Sequence, residues 1–123
     1  MSVVYGPTEW AVQHQPAANT QATIAKAADA NLCHVCTSIT ISLGGTAATA
    51  TPAVFNLRDG ATGAGTILWS AKLAHIANEA QNLTISGLRI RGTKNTAMTL
   101  EIAAAPAANV SATVAMTGYS EAG

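Results

Sequence analysis

The chain has 123 residues, which suits one domain, and six Lys and Arg balance six Asp and Glu. Its neutrality and its 10% charged fraction exclude the basic excess by which nucleic-acid binders release phosphate counterions. The sequence also contains no run of Lys and Arg that would bind a membrane surface. Since 27 alanines accompany only five aromatic residues, the expected core is small and leaves room for stabilisation by neighbouring subunits.

Residues 1–21 hold a glycine and two prolines and show no sustained hydrophobic period. Their opening, "MSVVYGPTEW", lacks a secretion signal's basic region and apolar run, so we expect synthesis in a cytoplasm. We predict an extended N-terminal arm; in the alternative, it folds back on its own domain. The arm's expected partner-binding residues are apolar: Val3, Val4, Tyr5 and Trp10.

From residue 22 to residue 123, apolar and polar residues alternate. In "LCHVCTSITISL" the alternation places Cys33 on the face of Ile39 and Ile41, with His34 and Cys36 opposite. Seven or eight such runs, separated by turn residues, predict one all-β domain: an antiparallel β-sandwich or jelly roll. Residues 22–28 are predicted as a strand, and 74–81 as a loop with partial helical character.

The stretch "RDGATGAGTILW", residues 58–69, raises the question of a phosphate-binding loop. A Walker loop needs a lysine after its last glycine, and a dinucleotide-binding loop must open a helix. Here no lysine follows Gly65, and the chain continues into the strand-like "TILW". Asp59-Gly60 is a strong turn signal between alternating runs. The stretch is therefore predicted to be a hairpin loop.

The sequence shows no convincing catalytic or metal-binding motif. In "CHVC", Cys33 and Cys36 are three residues apart, which in a strand directs the sulfurs to opposite faces. A zinc site also needs further ligands nearby. We expect one buried and one exposed thiol, with no enzyme activity, metal or cofactor. The competing hypothesis is a redox or metal protein that uses these two thiols.

Two other sets of side chains receive a prediction. Arg89 and Arg91, in "LRIRG", share one strand face and are expected to face solvent or a partner. Trp69 is in phase with Ile67 and is expected to be the main aromatic residue of the core.

The strand ending "NLRDG", the loop "ATGAGT", the strand "ILWSAKL", the segment "NTAMTL" and the closing "GY" occur in this order. Over residues 52–119 this pattern resembles small structural proteins of tailed-bacteriophage virions. The resemblance implies a capsid decoration (cement) protein at the capsid surface that bridges neighbouring major capsid subunits. The implied partners are the major capsid protein and the chain itself, as a dimer or trimer, without nucleic acid or membrane. The alternative is a tail or fibre module with a receptor- or glycan-binding surface.

Overall fold

The computed structural model describes residues 8–123, and all of its regular elements are β-strands. Their bounds follow the predicted alternating runs closely. They are β1 (Thr8–His14), β2 (Thr23–Lys26), β3 (Leu32–Gly45), β4 (Ala53–Asp59), β5 (Thr66–Leu73), β6 (Ala80–Ile85), β7 (Ile90–Arg91), β8 (Met98–Ile102) and β9 (Val110–Ala122).

The strands form two antiparallel sheets. The first has the order β1-β9-β3-β6, with the short β7 also paired to β3. The second has the order β2-β8-β4-β5. Most connections cross from one sheet to the other, in the pattern of a jelly roll with its two Greek keys. The fold class predicted from the alternation is therefore confirmed.

The core lies between the sheets and consists of inward side chains from both. β9 contributes strictly alternating residues such as Val110, Ala112, Val114 and Met116, while β4 contributes Phe55, which is fully buried. Such alternation is the period of a pleated strand with one face on the core. The small core expected from composition is thus filled mainly by aliphatic side chains and one aromatic ring.

A β-bulge in β3 changes which residues face the core. Cys36 pairs with Gly118 and Ser38 with Thr117, so Thr37 is an extra residue on the bulged strand. A bulge of this kind shifts the side-chain phase by one residue. Cys36 therefore joins Ile39 in the core, and the prediction that Cys33 shares that face was wrong.

A second bulge, between Leu57 and Arg58, corrects the prediction for β5. Leu57 pairs with Trp69 and Arg58 with Ile67, so Leu68 is the extra residue. Ile67 is 49% exposed, and Trp69 is only partly buried against the core. The prediction that Trp69 is the main aromatic residue of the core was therefore wrong. Fully buried Phe55 is the main core aromatic residue instead.

The described part of the predicted arm belongs to the sandwich. Residues 8–14 form β1, which pairs with β9 along its whole length, from Thr8 opposite Ser120 to His14 opposite Val114. Of the two alternatives for the arm, folding back on its own domain holds for this segment. Residues 1–7, which include Val3, Val4 and Tyr5, lie outside the described residues.

The predicted strand at 22–28 corresponds to β2, and the predicted loop at 74–81 is a turn that leads into β6. The glycine-rich stretch forms the β4–β5 hairpin, as predicted. Gly63 and Gly65 adopt φ of 72° and 79° there, a left-handed conformation that glycine adopts without steric cost.

Candidate interaction surface

The outer face of the first sheet is broad and carries mostly small, uncharged side chains, many of them with hydroxyl groups. Its residues come from β1, β3, β6 and β9 and point away from the core: Ala11, Gln13, Ser38, Thr40, Ser42, Asn82, Thr84, Ser111, Thr113, Ala115 and Thr117. We call this set the hydroxyl face. None of these residues is charged. It is the alternate set of the same strands whose inward residues build the core.

Cross-strand contacts order the hydroxyl face. The hydroxyl groups of Ser38 and Thr117 lie 2.5 Å apart, and those of Thr40 and Thr84 lie 3.4 Å apart. Hydroxyl pairs between neighbouring strands contribute modestly to sheet stability.

One end of the same sheet is charged. Arg91 lies in β7, and its Nε is 3.3 Å from Oε1 of Glu121, while its guanidinium also donates to the carbonyl of Ala122. Arg89 precedes β7 and is exposed. Both arginines are on the surface, and Arg91 is engaged by its own chain. The prediction that they face a partner stays a prediction.

A shallow depression of about 510 Å³ lies next to the hydroxyl face, above Gly118. Tyr119, Glu9 and Thr37 contribute to its walls. Gly118 also contributes to its lining. An aromatic ring, a carboxylate and a hydroxyl group thus surround one surface hollow.

Trp10 is anchored in its own domain by polar contacts. Its indole Nε1 donates to Ser120 Oγ at 3.1 Å, and its ring packs edge-on against His34 at a centroid distance of 5.9 Å. Ser120 Oγ lies 2.7 Å from His34 Nδ1, and His34 Nε2 lies 2.7 Å from the carbonyl of Ala27. Because a carbonyl oxygen only accepts, His34 Nε2 donates to Ala27 and His34 Nδ1 accepts from the Ser120 hydroxyl group. The indole of Trp10, Ser120 and both ring nitrogens of His34 thus each have a hydrogen-bond partner. This long-range chain had no signal in the sequence.

The glycine-rich loop is occupied by a carboxylate of its own chain. The backbone N–H of Gly63 donates to Glu101 Oε1 at 2.8 Å, and Arg58 Nε donates to the same oxygen at 2.7 Å. Glu101 is 1% exposed. An amide that would attract a phosphate thus binds an internal anion instead. Sequence reasoning missed this pair; its one visible signal was a carboxylate in the apolar strand "MTLEI".

Both cysteines are free and buried, so the expectation of one exposed thiol was wrong. Cys36 is in the core on the inner face, whereas Cys33 pairs with Glu121 on the opposite face. Burial raises the pKa of the Cys36 thiol from 9.0 to about 11, and a hydrogen bond with the Ser38 backbone acts in the other direction. A protonated, enclosed thiol is a poor nucleophile.

Residues 8–123 contain no group of three or more His, Cys, Asp or Glu arranged to hold a metal ion. Nor does this part of the chain form any helix long and apolar enough to cross a bilayer.

No protein-family model and no curated protein matches the sequence. Solved structures similar in fold include the cyanophage Pam1 capsid asymmetric unit, with 18% identity over 97% of this chain and 89% of that one, at a TM-score of 0.46. A CBM4 structure has 6% sequence identity over 92% of this chain and 84% of that one, at a TM-score of 0.44. The coat protein of Tobacco streak virus has 9% sequence identity over 94% of this chain and 90% of that one, at a TM-score of 0.35. At identities this low, the similarities assign no function to this chain.

Proposed function

We propose that the protein is a virion structural protein without enzymatic activity, and that it decorates a bacteriophage capsid by binding the major capsid protein. The observation that carries the proposal is the hydroxyl face, a broad uncharged surface on a rigid sheet. The resemblance of residues 52–119 to tailed-phage structural proteins supports the same role. Fold alone would not decide it, because jelly rolls serve both capsid proteins and lectins.

Binding through this face would draw on shape and hydrogen bonding more than on charge. Small side chains allow close approach of a flat partner, and the ordered hydroxyl groups donate and accept. A single contact of this kind is weak. Many copies on one capsid lattice, each touching two neighbouring subunits, convert weak contacts into durable attachment.

The test is decoration of purified heads that lack this protein. We expect hundreds of bound copies per particle by gel densitometry, as a lattice of repeated sites implies. Thr40→Lys, which puts a charge in the middle of the hydroxyl face, should remove most of the binding. Thr66→Lys, the same change at an exposed position of β5 in the other sheet, is the matched control and should bind normally. Full occupancy by Thr40→Lys would refute the use of this face.

A second candidate is a tail or fibre module that binds a glycan in the depression beside Tyr119. The aromatic ring would stack on a sugar, and Glu9 and Thr37 would hydrogen-bond its hydroxyl groups. This role predicts around a dozen copies per virion rather than hundreds, and glycan binding that Tyr119→Ala abolishes. The copy number separates the two candidates directly.

A further inference from the structure

An uncharged apolar groove lies at one end of the sandwich. It has a volume of about 310 Å³ and is formed by residues 49–54 and 102–107, where β4 begins and β8 ends. Alanines and prolines make up most of its lining, with Val54 and Ile102 at its base. Three consecutive alanines on its rim, residues 103–105, are exposed. Its volume is at the lower end of the range of about 300–1,000 Å³ found for binding pockets.

The segment in this chain that best matches the groove is residues 1–7, "MSVVYGP". It carries no charged side chain, as the groove carries none. Val3, Val4 and Tyr5 offer consecutive apolar side chains of a size that shallow pockets between alanines and prolines accept. A buried aromatic anchor such as Tyr often supplies a large share of the binding energy of an interface.

The groove of the same chain is out of reach of the Tyr5 side chain. Thr8 pairs with Ser120 at one end of β1, while His14, at the other end, accepts a hydrogen bond from Thr23 beside the end of β8. The two ends of β1 are separated by roughly 20 Å. Tyr5 is three residues from Thr8, so it lies at most about 10 Å from it along the chain. The groove, next to the His14 end, is therefore twice as far away.

We infer that residues 1–7 of one molecule bind in the groove of a second copy. Thr8, to which residues 1–7 are joined, and the groove are at opposite ends of the sandwich. Two antiparallel copies therefore fill both grooves with their N-terminal residues, and a closed ring does so as well. The inference goes beyond the capsid role and does not depend on it, since the groove and the hydroxyl face involve different residues.

Sedimentation of the full chain tests the inference. We expect a dimer or a larger closed oligomer that becomes monomeric in two variants. The first lacks residues 1–7 but retains all of β1. The second is Ala104→Glu, which places a charge in the groove. Ala108→Glu lies in the same connection, is exposed but does not line the groove, and should leave the oligomer unchanged.

Mixing provides the decisive result. The variant without residues 1–7 has an intact groove, and Ala104→Glu has an intact arm, so their mixture should associate although each alone is monomeric. Thermal unfolding midpoints equal to that of the full chain would show that both variants are folded. A monomeric full chain, an oligomer that survives removal of residues 1–7, or a mixture that stays monomeric would each overturn the inference. None of these results would change the head-binding test with Thr40→Lys. Failure of the arm-and-groove inference can therefore be told apart from failure of the capsid proposal.

Discussion

Gly118 lies where three strands leave no room for a side chain. A Cβ at this position would collide with the carbonyl oxygen of Val35 and approach the Trp10 ring to 2.7 Å. The indole therefore occupies the space that the glycine leaves on the inner face, and from there it reaches Ser120. The choice of one small residue thus determines where the largest side chain of β1 packs.

We expect Gly118→Ala to lower the free energy of unfolding by about 1–3 kcal/mol, the usual cost of overpacking, and to shift the fluorescence of Trp10. Chemical denaturation monitored by fluorescence measures both effects. Gly44→Ala is the matched control, because a Cβ there meets nothing within 4 Å; it should change stability by no more than about 0.5 kcal/mol. Equal effects of the two substitutions would contradict the packing argument.

The Cys36 thiol makes the stability of the folded protein depend on pH in the alkaline range. The folded state raises its pKa from 9.0 to about 11, so folding favours the protonated thiol. Its contribution to stability is intact below pH 9 and is lost as the pH rises through 11. We expect the unfolding midpoint to fall over this range, and to fall less steeply in Cys36→Ala. Alkylation of Cys36 in the folded protein at pH 8 should be slow; rapid alkylation would contradict the burial.

At the scale of elements, the β4–β5 hairpin loop is fixed to the outer surface of the second sheet by Glu101. This carboxylate binds Arg58 at the end of β4 and the N–H of Gly63 at the tip of the loop. The contacts explain why β8 is buried on both faces. The loop covers a surface that would otherwise face solvent, and the ion pair replaces the water that Glu101 loses.

Replacing Glu101 by Gln should destabilise the fold by about 2–3 kcal/mol. The cost stays below the ~3–5 kcal/mol of a fully enclosed pair because the Arg58 side chain, 17% exposed, keeps access to water. Glu121→Gln is the control, since its pair with Arg91 has side chains 30% and 50% exposed; it should cost no more than about 1 kcal/mol. Urea denaturation measures both, and a smaller loss for Glu101→Gln than for the control would contradict a structural role for the buried pair.

For the whole molecule, alternation was sufficient to predict two-layered β structure. The period of two is a local property, because a strand with one face on a core must place apolar residues at every second position. The hairpin turn at Asp59-Gly60 was equally predictable from the sequence, since a turn depends on a few adjacent residues. The Arg89 and Arg91 surface positions followed from the same alternation.

The sequence by itself determined the strands, the turn and the separation of the two cysteine side chains, since each depends on neighbouring residues. Only the tertiary structure decided the phase of β3 and β5, because a bulge forms where two strands must stay in register over a curved core. It also decided that residues 8–14 complete a sheet and that Glu101 is enclosed beside Arg58. The phase of β5 depends on its pairing with the neighbouring strand β4. The other outcomes depend on partners 40 or more residues away in the chain, whose proximity no local pattern records.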